Sequence, residues 1–407
     1  MFVSVGYGFK RAAPGPFSGG RRGGSGVGAS AVSVRGMHRG EWLSHKARPQ
    51  QLPPESVRRS LEMVQERRQP RSAKAPAPQG AVNRQEASAA PLEALDYATV
   101  PRYTSLEGNS SVLEIGSLRV FIDPVLVGPL VFFHPMVFKQ RKPSMFVEPA
   151  PTPEQTRQRL ERQFGPVGCV LLTQSLPDHA HPPTLDCIPR DTEIVAVESA
   201  RPLLERMRFD RVDFLKEGEA SWIYCGPPDQ PESEWVEFWA VPGAVVGPPW
   251  QAPENGYVIR HWKQGEKRNQ RTCLFRMLYE PHGYVNVDFA REVLADTADA
   301  AGRLTDVVLT PPLSVYVAGV YPLLSGARAA ARLTQTLKPY TVIALRNWEG
   351  QQSGLLASLV SARGSLDEFH NAVTAAAARA QCNTRVLVPD AGKPYLLGGK
   401  ENARDRP

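Results

Sequence analysis

Leu171-Leu172-Thr173-Gln174-Ser175-Leu176-Pro177-Asp178-His179-Ala180-His181-Pro182-Pro183-Thr184-Leu185 (residues 171–185) turns from an apolar run into a polar loop and then into a helix start. The run that it closes, Val167–Leu172, is short and continuous, the pattern of a strand buried on both faces. The loop carries one aspartate and two histidines within four residues. In layered α/β proteins ligand sites collect at such C-terminal strand ends.

Outward from this loop the pattern is mixed. Val112, Leu113 and Ile115, then Leu118, Val120 and Ile122, flank Gly116-Ser117 and predict a hairpin ending at Asp123-Pro124. Thr152-Pro153-Glu154-Gln155 predicts a capped helix that stops at Gly165, and Ser365-Leu366-Asp367-Glu368 opens another, to about Gln381. Strands are expected at 192–197, 234–240, 256–262, 272–279, 306–309, 340–345 and 384–389, and helices at 200–207, 287–301 and 326–337. Strands in runs, later alternating with helices, predict sheets covered by helices.

The formal charge of +7 over 407 residues is unevenly placed. Residues 1–95 hold 15 basic and 6 acidic residues, whereas 96–407 hold 33 and 35. The larger part is close to neutral, which removes the electrostatic basis for nucleic-acid binding. Met1–Gly40 has no acidic residue and six basic ones, the composition of an organelle transit peptide; a disordered tail is the plainer alternative. Residues 41–95 read as a linker with a short charged helix at Ser56–Arg68, so that the folded domain spans 96–407. No run of 18 apolar residues is present, which excludes a transmembrane helix. Cys169, Cys187, Cys225, Cys273 and Cys382 are scattered and odd in number, as for free thiols in a reducing compartment.

The 171–185 loop resembles the metallo-β-lactamase fold superfamily, whose His-x-His-x-Asp-His motif follows a strand and leads into a helix. Residues 109–124, 305–311 and 337–345 resemble its opening hairpin and late strands, and Tyr279-Glu280-Pro281-His282-Gly283 resembles a segment of a cyanobacterial and plant-plastid branch. The resemblance covers roughly 105–397. It implies a four-layer αββα sandwich, a plastid location with the mitochondrion as alternative, and in the family at large a pair of zinc ions.

The departures reduce that centre. Gln174 and Leu176 stand at the two leading histidine positions, the loop 240–248 has no histidine, and Arg346, Asn347 and Trp348 follow the late strand. A single metal remains: Asp178, His179, Glu280 and His282 are the expected ligands, with Asp178 also catalytic and His181 and Asp123 in support. Such N and O donors suit one Zn, Mn or Fe ion, or the chain holds none. Each residue also has a plainer role: Asp178 as a helix cap, Glu280 and His282 as an ion pair, His181 as a structural hydrogen bonder. Two functions follow, a hydrolase of esters, lactones or phosphodiesters, or a pseudoenzyme that binds or scaffolds. The apolar stretch 125–146, interrupted by Lys139, Arg141 and Lys142, is expected to fold over the core, to cover a small-molecule or lipid-like substrate, or to touch a membrane surface peripherally. His134, His261 and His370 carry no signal.

Overall fold

The computed structural model describes residues 98–227, 230, 233–246, 252–265, 270–347 and 349–398. The expected transit segment, linker and helix at 56–68 lie outside these residues. In chain order the strands are β1 (Ala98–Ser105), β2 (Ser111–Gly116), β3 (Leu118–Ile122), β4 (Leu130–Phe132), β5 (Phe138–Arg141), β6 (Cys169–Leu172), β7 (Glu193–Val197), β8 (Val212–Leu215), β9 (Ala220–Tyr224), β10 (Glu234–Pro242), β11 (Asn255–Gln264), β12 (Arg271–Tyr279), β13 (Val307–Thr310), β14 (Ser314–Val317), β15 (Tyr321–Leu324), β16 (Thr341–Ala344), β17 (Gln351–Ser353), β18 (Val360–Arg363), β19 (Arg385–Leu387) and β20 (Pro394–Leu396). The α-helices are α1 (Pro153–Phe164), α2 (Pro182–Leu185), α3 (Arg201–Arg206), α4 (Val287–Leu294), α5 (Ala327–Leu337) and α6 (Leu366–Arg379). Among the described residues no helix is long and apolar enough to cross a membrane.

Two seven-stranded sheets run β20-β1-β2-β3-β6-β7-β8 and β19-β16-β13-β12-β11-β10-β9. Alternation along their strands builds three apolar layers. Val120 and Ile122 of β3, Cys169 and Leu171 of β6, and Val236, Phe238, Ile259 and Met277 of the second sheet fill the space between the sheets. Phe121 points to the other side, against Leu160 and Phe164 of α1, while Val170 and Leu172 meet Leu185 of α2 and Leu204 of α3. Beyond the second sheet, Val258, Leu278, Val308 and Val342 meet Ala290 of α4, Leu333 of α5 and Phe369 of α6. The order helix, sheet, sheet, helix is the expected αββα sandwich. It also explains why β6 is apolar without a break: each of its faces has a cover.

The local signals act as the sequence requires. Ile115 pairs with Leu118 across Gly116-Ser117, and Gly116 has φ +57°. The Thr152 and Ser365 side chains accept the Gln155 and Glu368 amides at their helix starts. Gly165 ends α1 at φ +79°, over the Arg119 guanidinium, and a Cβ there would lie 1.8 Å from Arg119 Nη1. Arg119 itself is buried against Glu114 at 2.7 Å.

Each sheet is half parallel and half antiparallel. Strands β3, β6, β7 and β8 run parallel in the first sheet, as do β12, β13, β16 and β19 in the second. The segments that leave β3, β6, β12 and β16 therefore emerge at the same ends as their strands, and the antiparallel β11 begins beside the exit of β12.

Candidate metal centre

Asp123 closes β3 with φ +43° and is fully buried. Its Oδ1 accepts the Thr173 amide at 2.9 Å. Its Oδ2 faces Thr173 Oγ1 at 2.7 Å, His179 Nδ1 at 2.9 Å and the Tyr279 hydroxyl at 2.7 Å. An ionised carboxylate only accepts, so His179 Nδ1 carries its proton toward Asp123 and Nε2 is left to face outward. There Nε2 meets Asp178 Oδ2 at 3.4 Å and Asn109 Nδ2 at 3.3 Å.

His282 is oriented in the same manner from the second sheet. Its Nδ1 lies 2.6 Å from Glu254 Oε1, and its ring centroid is 5.2 Å from that of His179. Gly283 makes the turn beyond it: at φ +79° a Cβ would sit 2.1 Å from the Ser325 carbonyl oxygen. Asp178, His179 and His282 then offer one ligand atom each within 4.8 Å of one another. Asp178 is the member that reaches solvent, with 26% of its side chain exposed, yet its Oδ1 is buried without a hydrogen-bond partner among the described residues.

The electrostatics fit a cation. Burial pushes the Asp178 carboxyl up, but the imidazoles of His179 and His282 outweigh it and hold it below the ordinary range. Burial pushes His179 down, while Asp178 and Asp123 on its two sides prevail and raise it well above the ordinary value. Burial, helped by the charge of His179, takes His282 down to about 4, which leaves a neutral ring against Glu254. Glu254 and Glu280 are both raised to about 8, each first by burial, and Glu280 next by the charge of Glu254.

The remaining expected residues fall into other roles. Glu280 accepts the backbone amides of His282 at 3.2 Å and Tyr284 at 2.8 Å, and with Glu254 and His282 it also forms a second group whose ligand atoms lie within 4.8 Å of one another. His181 precedes α2 without joining the cluster. The Thr184 hydroxyl accepts the Leu126 and Val127 amides and donates to His181 Nδ1, which burial, then the charge of Lys142, takes down to about 4. Asp178 caps no helix, since His181 occupies the cap position of α2. Gln174 is buried and donates to the Val246 carbonyl at 3.2 Å. Asn347 donates to the Pro281 carbonyl at 2.7 Å; Trp348 lies outside the described residues.

Glu254, Asn109, Thr173 and Tyr279 were not among the expected site residues. Glu254 arrives because the segment before β11 folds back on 243–244: the Gly243 amide donates to the Glu254 carbonyl, and the Glu254 amide to that of Ala244. The expected apolar mouth divides. Val125, Leu126, Val127, Leu130 and Met145 are core, whereas Phe133 and Met136 are 79% and 77% exposed beside Leu355, which is 73% exposed and whose amide donates to the Met136 carbonyl.

Layer order, strand ends and the Asp178-His179 loop now stand together. The fold is the αββα sandwich that the resemblance to the metallo-β-lactamase superfamily predicts. No protein-family model matches the chain, and no curated protein does. Solved structures similar to it include a possible metal-dependent hydrolase from Veillonella parvula, at 14% identity and TM-score 0.47 over 74% of this chain and 100% of that one. An isothiocyanate hydrolase from Delia radicum gut bacteria is 15% identical at TM-score 0.47, over 73% and 99%. A metallo hydrolase from the archaeon Ignicoccus hospitalis is 14% identical at TM-score 0.42, over 73% and 98%. Likenesses this distant add nothing to what the two sheets and their helices show.

Proposed function

We propose that this chain is a hydrolase with a mononuclear metal centre held by Asp178, His179 and His282. The observation that carries the reading is a symmetry of support. Each histidine sets Nδ1 against a buried carboxyl group, Asp123 or Glu254, which leaves Nε2 free beside Asp178, whose Oδ1 has no hydrogen-bond partner among the described residues. Histidines that bind metals are oriented by such carboxylates. Two nitrogens and one oxygen suit Zn, Mn or Fe and leave a position open for substrate or water.

When bound, the metal supplies Lewis acidity and a nucleophile at neutral pH. The chain supplies the rest. Asp178, ionised and at the solvent-facing side, can take the proton of an attacking water. Asp123 and Glu254 hold both imidazole rings in one orientation, and Gln174, bonded to the Val246 carbonyl, stands at a position where the family carries a histidine. Esters, lactones or phosphodiesters are the substrates that this chemistry serves. The exposed Phe133, Met136 and Leu355 favour a lipid-like one, or a peripheral membrane contact, which flotation with liposomes would detect. The acid-free 1–40 segment supports a plastid address, with the mitochondrion as alternative; import of a reporter fusion tests it.

The test is metal analysis of the full chain purified without chelators, followed by turnover of nitrophenyl esters, lactones and bis-nitrophenyl phosphate. Metal with turnover that Asp178→Asn abolishes upholds the proposal. Absence of metal overturns it. Absence of metal, or metal without turnover, favours the second reading, a pseudoenzyme that binds or scaffolds, for which Gln174 and Leu176 in place of the family's two leading histidines are the supporting observation.

A further inference from the structure

A second convergence of metal-binding side chains lies at the other end of the inner layer. Cys225 follows β9, Glu234 opens β10, and His261 lies near the end of β11. In register Val236 faces His261, and two-residue alternation puts Glu234 on the same inner face, within the apolar layer. All three side chains are buried, and one donor atom from each lies within 4.8 Å of the others. Val236, Phe238, Ile259 and Phe275 belong to the same cluster as Cys225. Along β11, six residues separate Asn255 from His261, about 20 Å of extended chain, so this group is remote from Asp178.

We propose that Cys225, Glu234 and His261 form a second metal site, one that takes Zn²⁺ and fastens the β9–β10 hairpin to β11. Sulfur, nitrogen and oxygen donors together are the set that zinc accepts and that magnesium and calcium do not. His261 Nε2 is 2.9 Å from Glu234 Oε2, and Cys225 Sγ makes no hydrogen bond among the described residues. Glu234 Oε1 also lies 3.7 Å from Lys263 Nζ, while the Cys225 thiol is buried in the apolar layer beside it. Loading breaks the Cys225 S–H bond, forms the S–Zn bond and releases the proton to water. The thiolate and the carboxylate then balance the charge of the ion.

Cobalt separates this site from the first, which has no sulfur ligand. Full chain produced in cobalt-supplemented medium is expected to show a near-ultraviolet thiolate-to-cobalt absorption band. The band should persist in His179→Ala and disappear in Cys225→Ser and His261→Gln. Zinc-edge X-ray absorption on zinc-loaded His179→Ala should find one sulfur at about 2.3 Å, a measurement that does not depend on the Cys225 variant folding. A band that survives Cys225→Ser, or a zinc shell of nitrogen and oxygen only, overturns the proposal.

Discussion

The Tyr279 hydroxyl donates to Asp123 Oδ2 at 2.7 Å, a bond that runs from the last residue of β12 in one sheet to the exit of β3 in the other. The oxygen that receives it also orients His179. The clamp on the two sheets and the aim of a proposed metal ligand are thus a single atom's work.

Asp123→Asn tests that coupling. Asparagine tolerates the positive φ of the site, so the fold should persist. The amide cannot accept from all three neighbours, and the His179 tautomer is no longer fixed. Metal affinity is expected to fall about 10–100-fold, read by competition with a chromophoric chelator.

The ligand set itself is separable from its surroundings. Asp178→Asn, His179→Ala and His282→Ala should each contain about one equivalent less metal than the wild-type chain. Glu280→Gln should keep it, because the Glu280 oxygens serve the His282 and Tyr284 amides. Metal loss in Glu280→Gln would instead put that carboxylate on the ion. Chelation of the wild type should lower its melting temperature, and re-addition of zinc should restore it.

Glu114 and Arg119 form a buried pair beneath α1, with Arg102 Nε on the second Glu114 oxygen at 3.2 Å. Glu114→Gln leaves the Arg119 charge without its counterion. It should cost about 3–5 kcal/mol in urea denaturation. A double replacement by apolar residues of similar volume should cost less than the single one.

Lys142 gives a pH dependence of defined sign. Its Nζ donates to the Leu106 carbonyl and to Ser110 Oγ, both at 2.8 Å, and burial, opposed by Glu107, takes it down to about 7 from 10.5. Between these values the unfolded chain holds a proton that the folded chain lacks, so this residue makes stability rise with pH across that window. Below about 7 both states hold the proton and the contribution is flat. Lys142→Met should remove this contribution, seen as a difference from the wild-type melting temperature that changes steadily from pH 7 to 10 instead of staying constant.

The layered fold was legible because its strongest signals are local. Period-two alternation, the Gly116-Ser117 turn and the Thr152 and Ser365 caps need only neighbours in sequence. The continuous run at 167–172 announced a strand covered on both faces. Strands β8 and β9 were not anticipated, being short and interrupted by the hydrogen-bonded pair Asp213 and Ser221, and β20 begins with a proline, which an edge strand accepts. The expected helix 287–301 stops at Leu294 and tightens into a 3₁₀ turn. In the centre, Asp178, His179 and His282 stood out by residue type. Glu254 did not, since its place depends on a backbone pairing with 243–244. His261 looked ordinary until β10 and β11 set it against Glu234.

Strand β1 hydrogen-bonds to β2 on one side and to β20 on the other, Tyr103 facing both Leu113 and Tyr395. The first and last described strands are therefore partners, almost 300 residues apart in sequence. During synthesis β1 can join its hairpin early but keeps a bare edge until the final strand leaves the ribosome. Such late closure slows folding and leaves a template for wrong pairing. A chain cut after Leu387 would keep every proposed metal ligand and still be expected to aggregate.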